Sequence, residues 1–404
     1  MIEKSNMAHS PALQDNEETL VKVCEPTYEE VFSYNNLFMS AKKCVQGVAW
    51  KASVQLFVVN RLQWVAFLYN QLRERLYKSR GFIKFHISER GKTRFIQSVH
   101  ISERCVQKTL NNYGLKPLIE PKLIYDNGAS REGKGSQFAI ERLRQHLATH
   151  YRKYRTQGGV LTLDLHDYFN SISHDLLKRM LKIAIENDDL YRQTIYFIDC
   201  FDGDVGIGLG SEISQICAIY YPSLLDHYIK EKLHIKGYGR YMDDMYLIHH
   251  DIEYLKKCKK KIEDILLNLG LTLNPKTKIT RFDKGSFVYL KRRFKFGENG
   301  KIVTRLLRKN ITVRRRKLKR QKRALENGKA DIKSIHQSYQ AWRGYALKWD
   351  SRRTVINMEK LYYDLFGKED KDVSKFFKPC NSQSIKRMSQ DDAGSNESIE
   401  YSNR

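Results

Sequence analysis

The sequence lacks the features that would assign it to a membrane, secreted or zinc-binding class. Its most apolar stretch, "ASVQLFVVNRLQWVAFLYN" (52–70), is interrupted by Asn60, Arg61 and Gln63, so it predicts a buried helix rather than a membrane span. The N-terminus is polar and acidic and does not resemble a signal peptide. The seven cysteines are odd in number and contain no C-x-x-C pair, which predicts reduced thiols in a cytoplasmic protein without a zinc site.

Acidic residues are also scarce relative to basic ones. The chain has 46 Asp and Glu against 72 Lys and Arg, which gives a formal net charge of +26. Such an excess predicts a polyanionic partner, either nucleic acid or an anionic membrane, and the interrupted apolar stretch argues against the membrane. With 404 residues, 41% of them hydrophobic, the chain is long enough for two or three domains with a sizeable core.

Three acids lie in segments that are otherwise apolar or aromatic. "GVLTLDLHDYF" (159–169) predicts a strand that contains Asp164, and "GRYMDDMYLIHH" (239–250) predicts a strand, a turn with Asp243 and Asp244, and a second strand. Carboxylates are seldom fully buried unless something pairs with them. Because the two segments are far apart in sequence, only folding can bring the three acids together.

Two kinds of partner would explain these acids. One alternative is that each acid caps a turn or pairs with a nearby arginine such as Arg240. The other is a pair of divalent cations, since clustered carboxylates raise one another's pKa and cations remove that conflict. Oxygen ligands suit Mg²⁺, and two such ions about 4 Å apart are the phosphoryl-transfer arrangement of polymerases and nucleases. The basic composition favours the second alternative.

The two acidic segments resemble the catalytic motifs of reverse transcriptases: "RYMDDMYLI" is similar to their Y-x-D-D turn, and "LDLHDYFNSISHDLL" to their first catalytic strand and following helix. The resemblance is ordered and covers about residues 30–366. The other similar segments are "NLFMSAKKCVQGVAWK" (36–51, N-terminal helix of bacterial members), "ERCVQKTL" (103–110) and "NGASREGKGS" (127–136) of the fingers, "GIGLGSEISQ" (206–215, template–primer turn), "LGLTLNPKTKI" (269–279, palm lysine motif), "FVYLKRRF" (287–294, primer grip) and "SYQAWRGYALKWD" (338–350, thumb).

The resemblance implies an α+β right-hand polymerase, with an antiparallel catalytic sheet and a C-terminal α-helical thumb. The expected organisation is a flexible N-terminus (1–27), N-terminal helices and fingers (28–158), a palm interleaved with the fingers (159–304), a thumb (305–370) and a disordered tail (371–404). The maturase and endonuclease modules of intron-encoded members are not expected after the thumb.

The resemblance also implies catalytic roles. Asp164 and Asp243 would bind two Mg²⁺ ions, with Mn²⁺ as a substitute, and Asp244 would support them. The backbone carbonyl of Leu165 would complete one metal shell. Phe169 falls at the steric-gate position, where a bulky ring excludes a ribose 2′-hydroxyl; the alternative is an aromatic residue of the core.

Further residues would bind the nucleotide or the template. Arg131 and Lys134 match the fingers residues that hold the triphosphate, although "REGKG" alone is also typical of a solvated turn. Lys276 is the expected palm lysine near the pyrophosphate, with Lys278 as its rival. The remaining residues, which would shape the surface under the template base and the primer, are Gly210 and Gln215.

The stretch "RRRKLKRQKR" (314–323) is strongly basic and lies where the thumb should begin. Its side chains would track duplex phosphates; the alternative is a solvated helix face. The residues assigned to phosphate binding are Arg314, Arg315, Arg316, Lys317, Lys319 and Arg320. Four nearby aromatic residues are expected in the thumb core rather than as base-stacking platforms, namely Tyr339, Trp342, Tyr345 and Trp349.

The function expected from the resemblance is RNA-directed DNA synthesis from dNTPs, with a template RNA and a cDNA product as partners. The turn motif has Leu209 and Gln215 where many members have Gln and Pro, a form that resembles diversity-generating retroelement enzymes, which copy a template RNA with errors at adenines. Lys291, where most members have Gly, instead favours a neighbouring bacterial group that includes enzymes of phage defence. A non-coding RNA and a small accessory protein are further possible partners, and a catalytically idle RNA scaffold is the alternative of another class. The sequence leaves the primer and the oligomeric state open.

Overall fold

The computed structural model of the chain describes residues 25–89 and 92–367. The strands are β1 (Phe82–Glu89), β2 (Lys92–Val99), β3 (Gly159–Asp164), β4 (Gly237–Tyr241), β5 (Asp244–His249), β6 (Lys278–Arg281), β7 (Phe287–Tyr289), β8 (Arg292–Phe296) and β9 (Ile302–Leu306). The helices are α1 (Tyr28–Val31), α2 (Tyr34–Val45), α3 (Ala52–Val59), α4 (Arg61–Arg73), α5 (Ile101–Thr109), α6 (Lys116–Ile119), α7 (Ser136–Tyr154), α8 (His174–Ala184), α9 (Asp188–Asp199), α10 (Glu212–Tyr220), α11 (Ser223–His227), α12 (Ile252–Asn268), α13 (Arg308–Glu326), α14 (Ile332–Leu347) and α15 (Arg352–Phe366).

The described residues form two compact units. Unit 1 contains the described residues up to Pro121 together with Leu177–Asp202 and Gly208–Ile216, and unit 2 contains the rest. These units interleave along the chain, and their borders differ from the expected domain boundaries at 158 and 304. The division into fingers, palm and thumb at those boundaries stays a prediction. Most of the expected flexible N-terminus (1–27) lies outside the described residues. All of the expected disordered tail (371–404) lies outside them as well.

Unit 1 is mainly helical. Ser33 caps α2 by accepting a hydrogen bond from the Asn36 N–H, and one face of this helix buries Leu37 and Cys44. A two-stranded antiparallel hairpin, β1 with β2, is the sheet of this unit.

A four-stranded antiparallel sheet with the order β4-β5-β3-β6 organises unit 2. Strand β3 lies between two neighbours and buries Val160, Leu161 and Leu163, so its apolar run reflects coverage of both faces. The expected strand over 159–169 ends at Asp164, because residues Tyr168–Ser171 turn into a short 3₁₀ helix. Helix α12 begins at the cap Asp251 and contacts this sheet.

The three-stranded sheet β7-β8-β9 shares one hydrophobic core with the four-stranded sheet and α7. Strand β8 alternates between the core and solvent, since Phe294 and Phe296 are buried while Arg293 and Lys295 are exposed. Strand β9 ends at Leu306 and α13 begins at Arg308.

The C-terminal helices α13, α14 and α15 pack around Leu318, Ile335, Tyr339, Met358 and Tyr362. The expectation of an α-helical C-terminal region is confirmed, and so are the core positions of Tyr339 and Trp349. Trp342 packs against the core, whereas the expectation was wrong for Tyr345, which is exposed. None of the helices within residues 25–89 and 92–367 combines the length and hydrophobicity that crossing a bilayer requires.

Candidate active site

The three acids of the sequence motifs meet at one end of the four-stranded sheet. In the pairing of β3 with β5, Asp164 lies directly opposite Asp244. The backbone N–H of Leu165 donates to the carbonyl of Asp243 at 3.3 Å, which holds the β4–β5 turn beside the end of β3. Folding therefore brings together two segments that the sequence keeps far apart.

The turn that carries Asp243 is tight and strained. Only Met242 and Asp243 separate β4 from β5, and Met242 has a left-handed backbone with a φ of 54°. A residue other than glycine in this region costs about 1–2 kcal/mol. Such strain persists only where the surrounding structure fixes it, and it is concentrated at functional sites.

The electrostatics of the site favour a cation. Burial and, after it, the carboxylates of Asp243 and Asp164 together raise the pKa of Asp244 to about 7, against the opposing charges of Lys291 and Lys276. The folded chain therefore disfavours the ionised form of Asp244. A bound cation would reverse that preference, because an opposite charge stabilises a carboxylate.

The donor atoms fit a divalent ion that is completed by substrate. Among residues 25–89 and 92–367, no three His, Cys, Asp or Glu side chains form a complete set of metal ligands. Mg²⁺ is usually held by one or two carboxylates and by substrate phosphates rather than by an all-protein cage. Asp164, Asp243 and the carbonyl of Leu165 have this chemistry, and they lie together at the end of β3.

Arg240 was the alternative partner for these acids, and its guanidinium is committed elsewhere. It is fully buried and donates to both carboxylate oxygens of Asp226, with Nε–Oδ1 at 2.9 Å and Nη2–Oδ2 at 2.6 Å. Neither Asp226 nor this pairing was expected from the sequence, because fourteen residues separate the two side chains and no motif marks Asp226.

Phe169 lies on the 3₁₀ turn that follows β3. Its ring is half-buried and contacts the ring of Tyr168, with centroids 5.5 Å apart. The backbone is fixed by the Ile207 N–H, which donates to the Phe169 carbonyl at 2.9 Å. A ring that is fixed at its base and partly exposed is compatible with the steric-gate hypothesis, which stays a prediction.

The fingers loop keeps its two basic residues close to its own backbone. Arg131 donates to the carbonyl of Ile124 at 3.1 Å, and Lys134 donates to that of Tyr125 at 2.6 Å. The Lys134 ammonium also lies over the rings of Tyr125 and Phe138, 4.4 and 4.8 Å from their centroids. These bonds shape the loop, and triphosphate binding by the two cations stays a prediction.

The two candidate palm lysines have different surroundings. Lys276 is exposed, and its charge is among those that lower the pKa of Asp244. Lys278 lies in β6, where its carbonyl accepts a hydrogen bond from the Thr162 hydroxyl. Both side chains are exposed, and the choice between the two lysines stays a prediction.

Gly210 and Gln215 belong to unit 1, whereas the three acids belong to unit 2. Gly210 has a φ of 117°, and a Cβ at this position would come within 3.1 Å of the Gln97 carbonyl oxygen. The adjacent Leu209 carbonyl accepts the Gln97 N–H at 2.9 Å, so close approach to β2 requires the glycine. Gln215 is exposed on α10.

Comparison with known proteins decides the family. The family model described as "Reverse transcriptase (RNA-dependent DNA polymerase)" matches residues 78–296, which is more than half of the chain. The chain belongs to the reverse transcriptase family. The match includes the β3 strand, the strained β4–β5 turn and the hairpin of β7 and β8.

The chain is also similar to solved telomerase structures at low sequence identity. The chain is similar to apo telomerase from Candida tropicalis truncated from its C-terminal domain, with 14% identity, a TM-score of 0.44 and coverage of 55% of this chain and 54% of that one. The chain is also similar to the apo telomerase of the same organism, with 17% identity, a TM-score of 0.41 and coverage of 54% of this chain and 47% of that one. The chain thus spans about half the length of these structures. Among curated proteins, no relative matches the chain.

One further cation acts electrostatically on the candidate site. Leu290 and Lys291 form the tip of the β7–β8 hairpin, and both have left-handed backbones, with φ values of 45° and 61°. The Lys291 ammonium is among the charges that lower the pKa of Asp244. The sequence marks Lys291 only as a departure from glycine, and its role emerges from the turn and the charge together.

Replacing Lys291 with glycine should stabilise the fold and weaken catalysis. Glycine adopts a φ of 61° without steric cost, so we expect the free energy of unfolding to rise by about 1 kcal/mol in chemical denaturation. Removal of a cation near Asp244 should lower the rate of nucleotide addition several-fold. The matched control is Lys295→Gly in the same hairpin, which should lose stability instead; a destabilised Lys291→Gly variant would contradict the strain argument.

Proposed function

We propose that the chain is an RNA-directed DNA polymerase that extends a primer with deoxynucleotides on an RNA template. The observation that carries the proposal is the pairing of Asp164 with Asp244 beside Asp243, in a chain of the reverse transcriptase family. The net charge of +26 suits nucleic-acid partners. We place its activity in the cytoplasm.

We assign two Mg²⁺ ions to the site, with Mn²⁺ able to substitute. Asp164, Asp243 and the Leu165 carbonyl would hold them, and Asp244 would add negative charge beside them. Bound ions would supply activation of the primer 3′-hydroxyl and neutralisation of the departing pyrophosphate. Lys276 would offset charge on the pyrophosphate, and Phe169 would exclude a 2′-hydroxyl.

The direct test is primer extension by the purified chain. An RNA template with an annealed DNA primer, the four dNTPs and Mg²⁺ should give full-length cDNA, and EDTA should abolish the product. Replacing dNTPs with rNTPs should leave the primer unextended. Failure of extension on every primed RNA, with nucleic-acid binding retained, would favour the idle scaffold that protects an RNA.

For the biological role, we propose diversity generation, with phage defence as the competing outcome. The turn motif "LGSEISQ", the loop "SREGKG" and the thumb segment "AWRGYA" support the first, and Lys291 supports the second. Sequencing the RNA and cDNA that co-purify with the chain separates them. Adenine-mutagenised copies of a template repeat indicate diversity generation, whereas a structured non-coding RNA with a faithful copy indicates defence. Neighbouring genes, including one for a small accessory protein, give an independent check.

Helix α13 supplies the proposed grip on the template–primer duplex. Of the six residues assigned to phosphate binding, Arg314 is only 7% exposed and donates to the Ser338 carbonyl at 2.9 Å. Its guanidinium lies over the rings of Tyr339 and Trp342, 5.8 Å from each centroid. Arg314 is therefore a packing residue of α13 and α14. The five exposed members of the set carry the hypothesis, namely Arg315, Arg316, Lys317, Lys319 and Arg320.

Neutralising this face should weaken binding to all template sequences alike. A variant with glutamine at 315, 316, 319 and 320 should make the plot of log affinity against log salt shallower. The magnitude of its negative slope should fall by roughly 0.9 for each duplex phosphate that the helix no longer neutralises. Processivity should fall, while single-nucleotide addition at saturating template survives, because the acids are untouched. Anisotropy isotherms across a salt series give the slope.

Helix α12 provides a control with the same change of charge. Its exposed lysines at 256, 257, 260 and 261 can be replaced by glutamine, and this variant should keep most of the salt slope. Equal slopes for wild type and the α13 variant would mean that the basic face of α13 meets solvent or a protein instead.

A further inference from the structure

Arg240 forms a fully buried ion pair with Asp226 beside the β4–β5 turn. Both Arg240 and Asp226 have no exposed side-chain surface, and the Tyr238 hydroxyl donates to Asp226 Oδ1 at 2.5 Å. A buried ion pair is weak evidence for stability, because well-packed apolar residues often serve as well. A buried ion pair can, however, hold the groups around it in a single arrangement. The groups in question are the hydrogen-bond partners of Arg240.

The guanidinium also binds the backbone of two neighbouring segments. Its Nη1 donates to the carbonyl of Met242 at 3.4 Å, and its Nη2 donates to that of Ile219 at 2.7 Å. Met242 is the left-handed residue of the β4–β5 turn, immediately before Asp243. Arg240 is therefore part of the structure that holds the strained turn in place.

The main chain of Arg240 is hydrogen-bonded to residues 126–128. Its N–H donates to the carbonyl of Asp126 at 3.1 Å, and its own carbonyl accepts the Gly128 N–H at 3.0 Å. Residues 126–128 lead into the loop with Arg131 and Lys134. The Asp126 carboxylate is itself paired with Arg142 at 2.5 Å and with Lys230 at 2.8 Å.

We propose that Arg240 is a positioning residue for nucleotide addition, which holds the Asp243 turn and the start of the basic fingers loop in one arrangement. This role rests on the proposed function, because it matters only if Asp243 binds metal and the loop binds triphosphate. Arg240 touches neither the substrate nor a metal and acts through the backbone on either side of it.

Two variants test the proposal. Arg240→Lys keeps a positive charge for Asp226, but one ammonium cannot also donate to the Met242 and Ile219 carbonyls as the planar guanidinium does. The double variant Arg240→Met/Asp226→Asn removes both buried charges and keeps an acceptor for the Tyr238 hydroxyl, so no unpaired ion remains in the core. Thermal melting shows which variants fold.

In the folded variants we expect kcat for single-nucleotide addition to fall roughly 10- to 100-fold, the loss that a small misplacement of reacting groups produces. The Mg²⁺ concentration that gives half-maximal rate should rise. Hydrogen exchange, measured without metal or nucleotide, should become roughly tenfold faster at the amides of 242–245 and 126–129, since local opening is what exchange reports. A purely structural ion pair would instead be rescued in all three readouts by Arg240→Lys.

The outcomes separate this inference from the proposed function. A folded variant with wild-type kcat and wild-type exchange would overturn it, and loss of the fold in both variants would assign Arg240 to stability alone and overturn it as well. If the wild-type chain adds no nucleotide, the proposed function fails, while the exchange measurement still decides whether Arg240 fixes the turn and the loop.

Discussion

Alanine at both Asp243 and Asp244 is expected to abolish nucleotide addition, with a loss of at least about 1,000-fold, because the proposed metal site loses two of its three carboxylates. The acids lie at strand ends beside Asp164, where they repel one another. Binding to template–primer should persist, since the basic face of α13 is unchanged. Primer extension and anisotropy on the same preparation measure both quantities.

The same substitution should leave the fold at least as stable above pH 7. Burial and like charges raise the pKa of Asp244 in the folded chain to about 7, so the unfolded chain holds fewer protons between about pH 4 and pH 7. The ionised carboxylate of Asp244 therefore lowers the free energy of unfolding above that range, and replacing Asp244 with alanine removes this destabilisation. Thermal melting at pH 8 checks this sign.

A matched pair of acids on α12 provides the control. Glu263→Ala/Asp264→Ala makes the same change of charge away from the strand ends and should retain nucleotide addition. Retained activity in a clean preparation of the Asp243/Asp244 variant would refute the metal assignment. Lost stability in that variant would show that the acids support the fold.

The second large effect is expected at Phe169. Replacement with alanine should raise the relative rate of rNTP incorporation roughly 10- to 100-fold, because the ring no longer occupies the space of a 2′-hydroxyl. The turn itself should survive, since its bond to the Ile207 N–H uses the Phe169 backbone carbonyl. Single-nucleotide incorporation with paired dNTP and rNTP substrates gives the ratio.

Phe169→Tyr is the conservative control, because it keeps a ring of the same width and should keep the discrimination. If wild type and Phe169→Ala discriminate equally, the ring belongs to the core and the gate lies elsewhere. The half-buried position of the ring beside Tyr168 makes this alternative a real one, and the incorporation ratio separates the two.

The candidate catalytic residues could be named from the sequence because their neighbours are unusual. An acid within an apolar strand, as at Asp164, or within an aromatic turn, as at Asp243, contradicts the ordinary preference of carboxylates for water. The order of the motifs then indicated the family, and the match over residues 78–296 shows it. Mixed strands and helices followed by three C-terminal helices were also predictable, since local periodicity encodes them.

The partners of charged side chains were not predictable in the same way. Arg314 looked like one of a row of exposed cations, but the spacing of α13 turns it toward Tyr339 and Trp342. Lys291 looked like an anomaly in a hairpin, but its strained turn and its charge connect it to Asp244. In each case helix phase or turn geometry decided the direction of the side chain.

The sequence by itself indicated the candidate catalytic residues and the strands that carry Asp164 and Asp244, because those predictions depend on residue type and local spacing. Only the tertiary structure decided that Arg240 pairs with Asp226 rather than with the catalytic acids, and that Asp164 lies opposite Asp244. The physical reason is that burial and ion pairing are set by contacts between residues distant in sequence. A charge is stabilised or penalised only by the neighbours that folding brings to it.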